Sequence, residues 1–244
     1  MSDAFIDKFS DDAAGYRASR PAYPAALFDD LAALAPRQAL AWDVGCGNGQ
    51  AAIGLAAKFG HVHATDPSAE QIANAIPHPR VTYAVEPAER VSLAEGSADL
   101  ILAAQSLHWF ERDLFYAEAA RVLKPGGVLA AIGYDWMYVT PEVDQAINRQ
   151  LMPLLAGHWA PQNRILWDGY RSIPFPGNEL RIGAHAMYLD WSAEDALNYV
   201  RSWSAVRAAG ETLVGEALGL LAEAWGGGVR RAVMPLHIRA ARLP

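Results

Sequence analysis

The chain has 244 residues, 52% of them apolar, and its 20 basic and 27 acidic side chains give a formal net charge of −7. This length suits one large domain, or one domain with a sizeable insertion, that needs no covalent staples. The acidic balance speaks against a nucleic-acid partner, and the single cysteine, Cys46, excludes an internal disulfide framework or a cysteine metal site.

No apolar run approaches the ~20 residues that a bilayer requires. Met1–Ser10 is polar and of mixed charge, unlike a secretory leader, so a cytoplasmic protein without a membrane partner is expected. Residues 1–22 carry no periodic pattern but run into Tyr16-Arg17-Ala18-Ser19-Arg20-Pro21-Ala22-Tyr23-Pro24. Two readings of this stretch stand side by side: a solvated lead-in, or a flap whose arginine fork holds a carboxylate. Pro24 suits the start of a helix with the apolar stripe Leu27, Phe28, Leu31 and Leu34, closed by Pro36.

Leu40–Val44 is predicted as a buried strand that carries Asp43 near its end. Gly45, Gly47 and Gly49 follow at alternate positions, and the helix formers Ala51–Ala57 come next. Such a turn can take positive φ and bring a ligand against a helix N-terminus. The helix is expected to run to Phe59, with Gly60 as its C-cap. His61–Asp66 is a second strand ending in an acid about twenty residues past the glycines, where a nucleotide-binding α/β protein places a carboxylate for ribose. His61 and His63 alternate along it without a third ligand, so no metal site is expected. Ser68–Gln71 has the form of a capping box.

Val81–Val85, Ala98–Ala104 and Val128–Tyr134 are predicted as further strands, with a helix over Glu111–Leu123 and the turn Lys124-Pro125-Gly126-Gly127 before the last. The alternation implies right-handed crossovers and a parallel sheet with helices on both faces. Ligands in such sheets bind beyond the carboxyl ends of the strands, and Gly45–Gly49, Asp66, Ala88–Glu89 and Gln105–Trp109 all follow strand ends.

From Trp136 to Asn178 the sequence is rich in tryptophan, proline and tyrosine. It predicts an insertion or lid with a helix over Pro141–Leu155. Leu180–Trp191 is expected as one strand, Ser192–Val206 as a helix opened by a near-capping box, Thr212–Trp225 as another helix, and Arg231–Ala241 as a last strand. Arginines 230, 231, 239 and 242 are read as a solvated surface or, less simply, as a small basic face.

The frame Asp43-Val44-Gly45-Cys46-Gly47-Asn48-Gly49, with Asp66, Ala88-Glu89 and Arg121-Val122-Leu123-Lys124-Pro125-Gly126-Gly127, resembles the type 11 subgroup of class I S-adenosylmethionine-dependent methyltransferases. The flanks, Tyr16 to Pro24, His108-Trp109-Phe110 and Ser202-Trp203-Ser204-Ala205-Val206, resemble its trans-aconitate methyltransferase-like branch, which includes methyltransferases of small carboxylic acids.

The resemblance implies a Rossmann-like three-layer α/β sandwich, with a seven-stranded, mostly parallel sheet whose last strand is antiparallel. It implies one methyltransferase domain over 1–244: a flap and helix over 1–38, a cofactor-binding core over 39–134, an insertion or lid over 136–178, and C-terminal strands and helices over 180–244. S-adenosylmethionine would be the cofactor and S-adenosylhomocysteine the product, with no metal. Asp43, Gly45, Gly47, Gly49 and Gln105 would lie at the methionine end, Asp66 at the ribose and Ala88 at the adenine. Relatives commonly have an aspartate just before that alanine; here Pro87 stands there, so either Glu89 takes over the adenine bond or packing alone holds the ring.

Methyl transfer asks mainly for in-line positioning in a dry pocket, worth roughly 7–11 kcal/mol. A carboxylate acceptor is already ionised near neutral pH and needs no base, only a group such as Arg20, with Tyr16, to orient it. A phenol, hydroxyl or carbon acceptor needs a base, for which His108 is the candidate, while Trp109, Tyr134, Trp136 and Trp203 could wall the pocket. The favoured reading is therefore O-methylation of a small carboxylic acid.

Two other classes stay open. Gly47-Asn48-Gly49-Gln50-Ala51-Ala52 formally fits a dinucleotide loop and hence a nicotinamide-dependent oxidoreductase, and the same fold could bind a cofactor without catalysis. Oligomeric state has no signature in the sequence.

Overall fold

The computed structural model describes residues 21–243. Helix α1 (Ala25–Leu34) precedes β1 (Leu40–Val44), α2 (Gln50–Ala56), β2 (His61–Asp66), α3 (Ala69–Ala73), β3 (Val81–Val85), β4 (Ala98–Ala104), α4 (Arg112–Val122) and β5 (Leu123–Gly133). The chain then builds α5 (Pro141–Gln145), a π-helical turn (Ala146–Leu151), α6 (Met152–Leu155) and α7 (Asn163–Trp167). After these come β6 (Asn178–Leu180), β7 (Ala186–Trp191), α8 (Ala193–Arg201), α9 (Ser204–Ala209), α10 (Glu211–Trp225), β8 (Arg230–Pro235) and β9 (His237–Arg242).

Seven strands form one sheet in the order β3-β2-β1-β4-β5-β9-β6. The first five are parallel, and β9, the last strand in the chain, runs antiparallel to both of its neighbours. This is the expected Rossmann-like α/β sandwich. Side chains alternate between its faces as the strand period demands. Leu100, Leu102, Val128, Ala130 and Ile132 pack with Leu27, Phe28 and Leu31 of α1 and Leu55 of α2. Ile101, Ala103, Leu129 and Ala131 pack with Phe115, Ala119 and Val122 of α4.

Asp99 ties the lower edge of the sheet. It is fully buried, accepts from the amides of Ala39 and Leu40 at 3.0 Å each, and takes an ion pair from Lys124 at 2.8 Å. One carboxylate thus anchors the starts of β1, β4 and β5.

Several predicted boundaries are corrected. Helix α2 stops at Ala56 rather than Phe59. Gly60 is not its cap but starts the pairing of β2 on β1, donating to the carbonyl of Gln38. The stretch Leu180–Trp191 is two strands, because β6 pairs with β9 while β7 pairs with β8 in a separate two-stranded sheet. Arg231–Ala241 likewise splits at Pro235–Leu236 into β8 and β9, and proline has no N–H to continue a ladder. Ser192–Val206 is α8 and α9 around a break at Ser202–Trp203, although the Ser192–Asp195 capping box is present. The helix over Pro141–Leu155 is found, widened to a π turn one residue before a segment that contains Pro153.

The C-terminal arginines are mostly staples. Arg230 and Arg242 donate to the carbonyls of Trp225 and Leu34. Arg231 pairs with Asp190, and Arg239 pairs with Glu179, bonds two carbonyls and stacks on Phe175.

A third apolar cluster lies apart from the sheet. Val143, Ile147, Leu151 and Leu155 of the 136–178 stretch pack with Met187, Val200, Leu218, Trp225 and Met234. The first part of that stretch therefore shares one core, the cap, with β7, α8, α10 and β8, whereas Leu166, Tyr170 and Ile173 pack on the α4 face of the sheet. Among the described residues no helix is long and apolar enough to cross a membrane.

Removing the Asp99 carboxylate leaves two amides without their acceptor and unpairs the partly exposed Lys124, a loss of about 2–3 kcal/mol. Asp99→Ala should lower stability in urea unfolding by about that amount, and Asp99→Asn by less; a change under ~1 kcal/mol in the alanine variant would remove Asp99 as the anchor.

Candidate active site

The carboxyl ends of the five parallel strands open at one edge of the sheet, and strand order reverses there between β1 and β4. This is the crevice in which doubly wound sheets hold ligands. The turn after β1 has positive φ at Gly45, Gly47 and Gly49; Ser106 and Tyr83 cover the first and last of these, and the backbone is bare at Gly47, where a Cβ would meet nothing nearer than 3.7 Å. A Cβ on Gly45 would sit 2.6 Å from Cβ of Ser106, whose hydroxyl donates to the carbonyl of Val44.

Asp66 at the end of β2 accepts from the amide of Gly47 at 2.9 Å through one oxygen and from that of Ser68 at 2.9 Å through the other. It therefore binds the glycine turn to the start of α3. Asp43 lies beneath the turn, fully buried, and neither of its oxygens has a hydrogen bond of normal geometry. The Ala52 backbone only partly offsets that burial, and nearby Asp66 adds repulsion, so the pKa of Asp43 is pushed up to about 7. Cys46 follows in the turn with its thiol held well above its ordinary value by burial, as a filler would be and a nucleophile would not.

Ala88 is buried in the core beside α4, and Glu89 accepts from the amide of Glu111 at 2.9 Å, joining the segments after β3 and β4. The side chain of Gln105, in positive φ, grips the backbone of Tyr134: Nε2 donates to its carbonyl and Oε1 accepts from its amide, both at 2.9 Å. Gln105 thereby locks the ends of β4 and β5 together.

His108 lies in a single helical turn, Leu107–Trp109. Burial drives its pKa down to about 3, and its Nδ1 has no partner. Tyr16, Arg17 and Arg20 lie outside the described residues.

Between this edge and the cap is a cavity of about 80 Å³. The predicted His108, Trp109, Tyr134, Trp136 and Trp203 all line it, as does Gln105. Asp135, Trp159, Asn163, Trp167 and Tyr199 line it too, and the sequence did not single them out. The tryptophan density of 136–178 pointed to Trp159, Asn163 and Trp167, and nothing in the sequence to Asp135 or Tyr199.

Asp135 is held from behind by His237, whose Nε2 lies 3.1 Å from Oδ2 and whose pKa is raised mainly by that bond. His61 and His63 pair with Thr82 and Glu86 across the sheet, and among the described residues no group of three or more acids, histidines or cysteines could hold a metal.

The residues fit an adenosyl sulfonium cofactor. The glycine turn, bare at Gly47, would receive its amino-acid end, and the uncompensated Asp43 carboxylate beneath suits the positive charge of that end.

Comparison with known proteins agrees. The sequence profile of the methyltransferase-domain family matches residues 42–131. A Dictyostelium discoideum protein named a candidate methyltransferase is 33% identical over 204 residues, covering 82% of this chain and 78% of its own. A solved structure from Anaeromyxobacter dehalogenans, named a candidate type II methyltransferase, is 44% identical with a TM-score of 0.86, over 92% of this chain and 99% of that one. A Mycobacterium tuberculosis protein named an uncharacterised methyltransferase is 34% identical over 118 residues, and the match spans 48% of its length. Identity of one third along most of both chains settles membership: this chain belongs to the class I S-adenosylmethionine-dependent methyltransferases.

Proposed function

We propose that this methyltransferase transfers the methyl group to the carboxylate oxygen of a small carboxylic acid held in the cavity under the cap. The observation that carries this reading is His108. With a pKa near 3 it is a poor base for a hydroxyl or phenol at neutral pH, which weighs against those acceptors. A carboxylate needs no base.

Bound S-adenosylmethionine supplies an electrophilic methyl group on sulfur. The glycine turn and Asp43 would hold its amino-acid end, Asp66 would accept from its ribose, and Ala88 with Glu89 would border the adenine. An acid oxygen in the cavity would take that methyl group, the electron pair of the broken carbon–sulfur bond returning to sulfur, with no proton for the protein to move. The indole N–H groups of Trp136 and Trp159, buried and without partners, are donors for the acid, and Arg20 is the further expected donor. The aromatic walls would reduce the water around the bound acid. Family membership sets aside the nicotinamide reading of the glycine turn.

The reading is tested by isotope-labelled methyl transfer to a panel of carboxylic acids and phenols, with ester formation scored by mass. Esters of acids are expected; methyl ethers alone would overturn it. For an acid acceptor, kcat should be flat between about pH 6 and 8, and a rise with an apparent pKa near 6.5 would bring back a histidine base.

Asp66→Asn should weaken S-adenosylmethionine binding at least ~10-fold in calorimetry, the scale of one lost charge-assisted bond; undiminished affinity removes the ribose role.

Asp43 predicts a pH effect on the ligand-free protein. Between about pH 4 and 7 the folded chain holds a proton that the unfolded chain has lost, so stability falls as pH rises through that window. The full cost, on the order of 4 kcal/mol for about three pKa units, is felt above it. Asp43→Asn should therefore be more stable than the parent at pH 8 in urea, with the gap closing toward pH 5, and should bind the cofactor less tightly. A gap independent of pH refutes the assignment.

A further inference from the structure

Among the described residues, five buried polar atoms without a hydrogen-bond partner belong to one cavity wall: Oδ1 of Asp135, Oδ1 of Asn163, Nδ1 of His108, and the indole nitrogens of Trp136 and Trp159. Folded proteins leave few such atoms unmatched, and a cluster of them at one cavity marks what a ligand must supply. The two indoles are donors, and a carboxylate on the ligand would satisfy them. It would leave Asp135 and Asn163 with nothing, and it would face the Asp135 charge directly. Both of those oxygens need a donor on the ligand.

Asp135 is held in place on its other sides. Its preceding residue, Tyr134, is clamped by Gln105, its own carbonyl accepts from the Tyr199 hydroxyl at 3.4 Å, and His237 holds its other carboxylate oxygen at 3.1 Å. No lysine or arginine lies among the described lining residues to neutralise it from the cavity side. The rings of Trp159, Trp167 and Trp203 stand together there, with centroids 5.3 and 5.8 Å apart in the two pairs. A carboxylate beside aromatic faces suits a cationic group best.

We infer that the acceptor is a carboxylic acid that also carries an ammonium or hydroxyl group, and that Asp135, assisted by Asn163, is the specificity residue that reads this second group. The inference rests on the carboxylate reading above. In it the donor group keeps its proton and stays unmethylated, while the acid oxygen takes the methyl.

The test uses matched sets of acids on one body, with the intact enzyme and saturating S-adenosylmethionine: phenylalanine, phenyllactate and phenylpropanoate, then leucine, hydroxyisocaproate and isocaproate. In at least one set the amino or hydroxy member should exceed the unsubstituted acid at least ~10-fold in kcat/KM, and in Asp135→Asn that ratio should collapse toward one, most steeply for the amine. Equal or better use of the unsubstituted acids by the parent enzyme overturns the inference and leaves the carboxylate reading standing. Should Asp135→Asn fail to fold, the parent ratios decide alone. If no acid in either set is methylated while S-adenosylmethionine still raises the unfolding temperature, and phenols are methylated instead, the carboxylate reading fails and takes this inference with it.

Discussion

The active edge of this enzyme depends on one carboxylate that accepts two backbone amides. Asp66 ends β2 and receives the N–H groups of Gly47 and Ser68. A turn with three left-handed glycines has little intrinsic preference for one shape, because glycine loses the most freedom on ordering. The Gly47 bond fixes that shape from the neighbouring strand. Ser68 then caps α3, its hydroxyl accepting from Gln71, so the geometry passes from the glycine turn to the next helix. Asp43, buried without compensation, can exist beneath the turn only because the rest of the edge is so firmly placed.

Much of this was legible in the sequence, for local reasons. The strands β1, β4 and β5 announce themselves as short apolar runs, and the glycines at 45, 47 and 49 and the acid at 66 sit at spacings set by one βαβ unit. What stayed hidden is non-local. Residues 180–191 have the pattern of one strand, and nothing in Arg181–His185 reveals that its two halves join different sheets. The break between β8 and β9 has a local cause, Pro235, yet the partner of each half is decided far away.

The candidate site divides in the same way. Its cofactor side is read from a string of strand ends, and the fold brings those ends to one edge of the sheet. Its acceptor side is assembled from five segments scattered between Gln105 and Ser204. Asp135 and Asn163 have no spacing relation to each other or to His108, and only the fold brings their unsatisfied oxygens to one cavity. His108 itself was visible, but the lowering of its pKa was not, because that follows from burial rather than from neighbours in the chain.

The third apolar cluster gives the molecule a second core, and few residues belong to both sides: Tyr23 and Leu236 pack against the cap cluster and the sheet cluster alike. Backbone crosses between them after Gly133, between Trp159 and Leu166, between Leu180 and Ala186, and at Leu236. The Asp135–His237 pair stitches the first and last of these crossings together. Cap and sheet are thus two cooperative units riveted at the point where the cavity begins, and the strength of that rivet decides whether heat dissolves the enzyme in one event or peels it in two.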